Sequence, residues 1–460
     1  MSAELRKRWA QAGGAFPENW EVVPLETLLR DSKGIAVGVM YPGPNTPGGV
    51  PLIKVGDVNG GLVPLRPSYC ISAEVNAEYE RTQLAGDELL ITLVGNPGEC
   101  VVVKQQMAGW NAARAIAVIR LEDPSLRVYL KTVLESTACR HLIDAVLNTT
   151  VQKTLNLKDI RLLPIPMPPK QVIQAISGFS NALNDRIALL CETNATLEAI
   201  AQTTFKSWFV DFDPVQAKSE GLEPEGMDAG TAALFPDRFE ESELGFLPKG
   251  WEVRPVGELV EGIYDGPHAT PAESESGPIF LGIKNLTGTH LELANIRHIS
   301  EDDWSKWTRR VEPTHGDIVF SYEATLGFFA VIPPEVRCCL GRRLALIRPH
   351  TENGAGLFWF HQFISTPFQQ MLDKHTIHGA TVNRIALKAF PSYSVLNPSE
   401  ALKLAFNDLV EPLWTTIHNN QAQLNTLTQL RDTLLPRLIS GRLSLPEEKD
   451  SIKNMLSEAI

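Results

Sequence analysis

The sequence predicts an α+β protein of two pseudo-symmetric domains separated by an antiparallel two-helix coiled coil. Three observations predict it. One half of the chain repeats the other in order, each half opens on short β-rich runs, and each half closes on a long apolar seam.

The repeat comes first, because self-similarity at a fixed period constrains every later assignment. Pro17 and Trp20 recur as Pro248 and Trp251, an offset of 231. The run at Asp87 (AGDELLI) recurs at Asp317 (HGDIVF), an offset of 230, and Ile119-Arg120 recurs as Ile347-Arg348, an offset of 228. Last, TLNLKDIRLLP at Thr154 matches TVNRIALKAFP at Thr381, an offset of 227, so the offset reads as a slow downward drift. Matches that keep their order across a half-chain indicate tandem duplication.

The opening part of each half is strand-like. PLIKVGDV, ELLITLV, CVVVK and AIAVIRL in the first half are answered by IFLGIKNL, DIVFSY, FFAVIPP and LALIRP in the second. Short apolar runs broken by Gly, Pro and Asn are strands joined by turns. The Gly-Asp pairs fit tight turns into strands, with Gly supplying the dihedral and Asp a local cap. VYLKTVLESTACRHLIDAV and LFWFHQFISTPFQQMLD have helical spacing and are expected to pack on the sheets.

The closing part of each half is a long helix. Its first seam runs Ile176, Phe179, Leu183, Ile187, Leu190, then Leu197, Ala201, Phe205 and Trp208, with Asn194 in the intervening slot. The second runs Leu402, Phe406, Leu409, Leu413, Ile417, then Leu424, Leu427, Leu430, Leu434 and Leu438, with Asn420 in the matching gap. Steps of three and four residues are coiled-coil spacing, and a polar residue in such a seam fixes register at a cost in stability. The alternative is that each Asn faces solvent. Burying both seams together requires antiparallel helices, about 60 Å long at 1.5 Å per residue. The expected organisation is a first domain at 1–168, a helix at 169–212, an acidic linker at 213–246, a second domain at 247–397, a helix at 398–443 and a charged tail at 444–460.

Composition narrows the function classes. No apolar run approaches the roughly 20 residues that cross a bilayer, and the N-terminus MSAELRKRWA lacks a signal-peptide core. Six cysteines, Cys70, Cys100, Cys139, Cys191, Cys338 and Cys339, form no CxxC pair and read as thiols of a reducing cytoplasm. Net charge is −12, but −7 of it falls between Asp213 and Glu243 and −2 in the tail from Leu445. The remaining body is near neutral, so a basic face is compatible with the acidic total.

Catalytic signatures are missing from the string: no Walker A sequence, HExxH motif or Gly-rich dinucleotide fingerprint occurs. His375 and His378 have metal-like spacing without a second pair of ligands, and Glu447-x-Lys449 lacks the acidic partner of a nuclease motif. No catalytic or metal-binding residue is assigned. Two similar heads on a spacer suit a duplex read at two half-sites, which needs cations and amides at turns. The first head offers Lys54, Asn59, Asn96, Asn111, Arg114, Gln152 and Lys153. The second offers Lys284, Asn285, Arg309, Arg310, Arg342, Arg343, Lys374, His378 and Arg384.

FVDFDPVQAKSEG at 209–221, FPDRFEESELGFLPKGWEV at 235–253 and LRDTLLPRLISGRL at 430–443 carry a family likeness. On these pieces, over nearly its whole length, the chain resembles the specificity subunit of type I restriction-modification systems. The resemblance implies two target-recognition domains, each reading half of a split asymmetric DNA sequence, with the helices setting the spacer. It further implies two modification subunits that bind S-adenosylmethionine and methylate adenine. Where the system carries them, it implies two restriction subunits that use ATP and Mg. No cofactor is implied for this chain. Two rival readings stay open: a self-contained methyltransferase or nuclease, and a coiled-coil scaffold that never touches DNA.

Overall fold

The computed structural model describes residues 2–58, 60–64, 68–147, 153–242, 245–293, 296–350, 356–379 and 382–443. The chain divides into two compact units, Met1–Leu189 with Thr426–Ile460, and Leu190–Asn425.

Each unit holds the same three sheets. In the first unit, a four-stranded antiparallel sheet takes the order Ile35–Val37, Ile116–Ile119, Leu89–Thr92, Cys100–Val102. In the second, Val260–Asp265, Leu344–Pro349, Ile318–Ser321 and Phe329–Val331 repeat that order. A three-stranded sheet follows in both. Val50–Ile53 pairs antiparallel with Cys70–Ile71 and parallel with Asn111–Ala112. Ser274–Leu281 pairs in the same two senses with Arg297–His298 and Cys338–Leu340. A two-stranded ladder closes each unit, Glu21–Pro24 with Pro164–Met167 and Glu252–Pro255 with Ser394–Asn397.

Alternation along the strands explains why the central ones are apolar throughout. Ile318, Phe320, Ala345 and Ile347 enter a core with Phe358, Phe363 and Phe390, on the face covered by the helix Gly356–Ile364. Val319, Leu344 and Leu346 face the other way, onto Leu281, Cys338 and Leu340 of the three-stranded sheet. With both faces covered, a strand needs no polar face. Cys338 and Cys339 are buried there, and burial pushes both thiols up to about 12.

The turns carry the repeat in detail. The backbone N–H of Trp20 donates to Pro17 O, and that of Trp251 to Pro248 O, both at 3.1 Å. Gly86 and Gly316 take φ of 99° and 87° at the turn into the central strand, a region that favours glycine. Two alignments need correction. The acid working at that turn is Glu88 in the first unit, not Asp87. Glu88 accepts from the backbone of residues 85–87 and pairs with Arg120 at 3.3 Å. Asp317 accepts from Thr314 N and pairs with Arg348 at 2.7 Å. The match of Thr154 to Thr381 is also out of register. The backbone N–H of Leu155 donates to Leu93 O as that of Ile385 does to Tyr322 O, restoring an offset of 230, which the strands Pro164–Met167 and Ser394–Asn397 share. Two Pro-ended apolar runs of similar composition concealed the slip. Thr381 itself lies outside the described residues.

The long helices are Lys170–Phe209 and Glu400–Ile439, each of 40 residues. Inside the second unit their segments run antiparallel. Asn420 Nδ2 donates to Asn194 Oδ1 at 2.7 Å, Asn194 Nδ2 to Ile417 O at 3.4 Å, and the rings of Phe205 and Phe406 stand 5.4 Å apart. Ala201, Phe205, Trp208, Ile417 and Leu424 are buried with Leu402 and Phe406, while Leu197 and Leu413 are partly so. Within the first unit Ile176, Phe179 and Leu183 are buried, Ile187 is half-buried, and Leu427 and Leu438 are buried with Leu430 and Leu434 half-exposed; Leu190, in the second unit, is buried as well. Leu409 is withdrawn from the seam: it is 49% exposed, and Val410 is fully buried in its place. Adjacent apolar residues made the two indistinguishable by spacing, and steps of four through 402, 406, 410 and 414 select Val410 and Trp414.

The segment read as an acidic linker carries local structure. Helices Asp213–Ser219 and Ala229–Leu234 precede a hairpin of Phe239–Ser242 with Gly245–Pro248. Val215 and Phe235 are buried against Trp208 and Trp251, while the acids of 220–228 stay largely outside. The tail read at 444–460 lies outside the described residues.

Candidate nucleic-acid interface

The antiparallel ladder places particular loops at one end of each four-stranded sheet. In the first unit Val37 pairs with Ala117, Thr92 with Ile116 and Ile91 with Cys100. The connections 38–49, 93–99 and 113–115 therefore emerge together. Ile53 O accepts from Ala113 N at 2.9 Å, which sets Lys54 beside Arg114, and the backbone bridge of Val94 to Thr154 brings in Lys153. Four candidates, Lys54, Asn96, Arg114 and Lys153, thus share one end of the unit. Lys54 Nζ lies 3.7 Å from the centre of the Tyr69 ring, a cation–π contact that holds the ammonium in place. Asn96 Nδ2 donates to Glu99 at 3.2 Å, and Arg114 and Lys153 are exposed.

The second unit repeats this placement. Asp265 pairs with Ala345 and Ser321 with Leu344, so the turns after 265, 321 and before 344 cluster. Gly266 N donates to Leu344 O, Tyr322 N to Arg343 O, and Ala324 N to Asn383 O. The hairpin of Thr376–Ile377 with Arg384–Ile385 joins them through the bridge of Glu323 to Arg384. Arg310 is ion-paired to Asp265, whose other oxygen takes His268 Nε2 at 3.1 Å, and Arg343 lies 3.6 Å from Glu323. Arg309, Arg342, Arg384 and Lys284 are exposed and carry no ion pair among the described residues. Lys374 ends the helix Thr366–Lys374, and exposed His378 follows the short strand. Gly341 N donates to Leu281 O at 2.7 Å, bringing the turn that carries Lys284 toward the same end.

Two candidates are withdrawn. Asn111 is fully buried: its Nδ2 donates to Asn76 Oδ1 at 2.9 Å and its Oδ1 accepts from Ala112 N. Asn285 is 2% exposed, with Oδ1 accepting from Gly282 N and Nδ2 donating to Glu292 O, both at 3.0 Å. Amides already paired inside the unit are not offered to a ligand. Asn59 and Gln152 lie outside the described residues. Spacing could not reveal the acids Asp265 and Glu323 that orient Arg310 and Arg343, although the turn-forming run Asp265-Gly266-Pro267-His268 signals a tight loop. Two further arginine pairs, Arg120 with Glu88 and Arg348 with Asp317, sit at the opposite end of the four-stranded sheets and anchor the strands.

Among family models none matches the chain. The specificity subunit of the type I restriction enzyme HindI from Haemophilus influenzae is 24% identical over 333 residues, 63% of this chain and 71% of that relative. The MjaIX specificity subunit of Methanocaldococcus jannaschii is 26% identical over 301 residues, 64% of this chain and 63% of the relative. The chain is thus similar to type I restriction-enzyme specificity subunits over about two thirds of its length. A crystal structure of the type I S subunit from M. genitalium shares the fold, with a TM-score of 0.52 at 16% identity, covering 91% of this chain and 96% of that one. The family resemblance and the paired sheets agree on two like units, each presenting its own loop cluster. Among the described residues no helix is long and apolar enough to cross a membrane, and no group of three or more His, Cys, Asp or Glu residues gathers as a metal site.

Proposed function

We propose that the chain is the DNA sequence-reading subunit of a type I restriction-modification complex. The first unit reads one half of a bipartite asymmetric target and the second unit the other. The observation that carries this reading is the recurrence of exposed cationic loops at the same end of the same sheet in both units. In the second unit Arg309, Arg342 and Arg384 face solvent without an ion pair among the described residues; in the first, Arg114 and Lys153 are exposed.

The chemistry follows from those groups. Guanidinium and ammonium groups neutralise phosphates and set register, while a planar guanidinium offers two parallel donors to a guanine edge, worth about 1–3 kcal/mol against a wrong base. Arg310 and Arg343, already oriented by carboxylates, are preorganised for such contacts. The long helices set the separation between the half-sites. Two modification subunits dock around them, bind S-adenosylmethionine and extrude the target adenine for methylation. Two restriction subunits, with ATP and Mg, complete the assembly where present. This chain supplies recognition and scaffold, and no reaction step, and works in the cytoplasm.

Duplex binding by the purified chain tests the reading against its rivals. Affinity is expected to fall steeply and linearly with salt on a logarithmic scale, as phosphate contacts require. With S-adenosylmethionine added, no methyl transfer is expected without the partner. Salt-independent or undetectable duplex binding supports a scaffold that does not touch DNA; methyl transfer or cleavage by the chain alone supports a self-contained enzyme.

A further inference from the structure

The geometry points to Tyr41 as an aromatic wedge that stacks on a base step within the half-site read by the first unit. This inference rests on the DNA-reading function proposed above and adds a specificity-determining residue to it.

Tyr41 is 77% exposed and its neighbour Met40 40%, two large apolar groups side by side at the loop cluster of the first unit. A single exposed apolar residue needs no explanation. Here, however, the loop beneath the ring is fixed. The backbone N–H of Val39 donates to Ala112 O at 2.7 Å, and Tyr41 N donates to Tyr79 Oη at 3.3 Å. Tyr69 Oη donates to Gly43 O, Cys70 N to Asn45 Oδ1 at 2.9 Å, and Thr46 N to Cys70 O at 3.0 Å. The main chain is tied down from residue 39 to residue 46, yet the phenol has no hydrogen-bond partner among the described residues. A pinned loop that displays an aromatic ring has already lost the entropy that binding would otherwise cost.

The surroundings favour a nucleic acid over a protein partner. No acid occurs between Asp31 and Asp57, so the loop repels no phosphate. Arg114 N donates to Val39 O at 2.9 Å, and Tyr69, which holds Gly43, also carries the Lys54 ammonium over its ring. Two cationic residues are thus tied to the loop that displays the ring, Arg114 through its backbone and Lys54 through Tyr69, and minor-groove binders likewise combine cationic residues with apolar wedges inserted into the stack. The corresponding connection of the second unit begins Gly266-Pro267-His268-Ala269 and displays no large apolar group. The wedge therefore acts on one half-site only.

The test uses the full chain alone, so that no partner can extrude a base. A randomised duplex pool is selected by binding, and 2-aminopurine is then placed at each step of the recovered motif. The wild-type chain is expected to raise 2-aminopurine fluorescence at a step in one half-site. Tyr41→Ala is expected to abolish that rise and to weaken binding about 10- to 100-fold, as loss of base–aromatic stacking does. Tyr41→Phe is expected to keep both, because the ring and not the hydroxyl does the stacking. An unchanged circular-dichroism melt of Tyr41→Ala accompanies these results. If Tyr41→Ala binds the motif as tightly as wild type and keeps the fluorescence rise, the inference is overturned while DNA reading stands. Equal losses in Tyr41→Phe and Tyr41→Ala also overturn it, in favour of a hydrogen bond. A chain that binds no duplex removes both claims.

Discussion

The Asn194–Asn420 pair offers a sharp energetic test of how the two long helices are held together. Replacing Asn420 with Leu removes a 2.7 Å amide–amide bond and leaves Asn194 Oδ1 facing an apolar seam at a position only 9% exposed on the Asn420 side. Asn194 Nδ2 keeps only its long 3.4 Å contact to Ile417 O. A lost bond contributes about 1 kcal/mol, and stranding the remaining polar group costs about 1–3 kcal/mol more, so each single Leu variant should lose roughly 2–4 kcal/mol. The double variant restores an apolar seam and should recover most of that loss, because replacing both partners together is close to neutral. The coupling energy is then negative by about 2 kcal/mol or more, the expectation for residues in direct contact. Hydrogen exchange of the segments around 194 and 420 measures it locally, without requiring two-state unfolding of a two-unit chain. Single losses below about 0.5 kcal/mol that simply add in the double variant would place both amides in solvent and refute the pairing.

Three further outcomes follow from the packing. His361 is buried, holds its ring neutral with its pKa lowered to about 3 by burial, and accepts from Trp414 Nε1 at 3.0 Å. The unfolded chain therefore binds a proton from about pH 6.5 downward while the fold does not, so stability is lost as pH falls, by about 2 kcal/mol at pH 5. Comparing unfolding of wild type and His361→Phe at pH 7 and pH 5 should show a smaller difference in the variant, and an equal difference contradicts the assignment. Phe406→Ala should cost about 3–5 kcal/mol in denaturant titration, whereas Leu409→Ser should stay within about 0.5 kcal/mol; the reverse order would restore Leu409 to the seam. Arg348→Met leaves the nearly buried Asp317 without its cation and should cost about 3 kcal/mol, and a thermal shift corresponding to less than 1 kcal/mol would show the pair to be incidental.

What the sequence made legible follows from periodicity. Alternating strands and three-four helix steps are local signals, so the duplicated architecture and the antiparallel seam could be read from the string, and Asn194 and Asn420 could be matched across more than two hundred residues. Where two apolar residues adjoin, as at Leu409-Val410, spacing cannot choose between them, and only the packed partner does. The candidate interface was legible as residue type and not as exposure. Asn111 lies in a short strand and Asn285 ends a single 3-10 turn, and both amides are paired inside the unit, which composition cannot show. The converse holds for Tyr41. An aromatic residue in a Pro- and Gly-rich loop reads as core until the five bonds that pin its loop show the ring left outside. The offset error at Thr154 has the same origin: a short insertion is invisible when both flanks are Pro-ended and apolar.

Exchanging residues 17–168 for the matching domain of a relative, followed by methylation-sensitive long-read sequencing of the host genome, tests the two-reader assignment most directly. The account predicts a methylated motif in which one half changes while the other half and the spacer length are retained. A motif altered in both halves, or left unaltered, would contradict it.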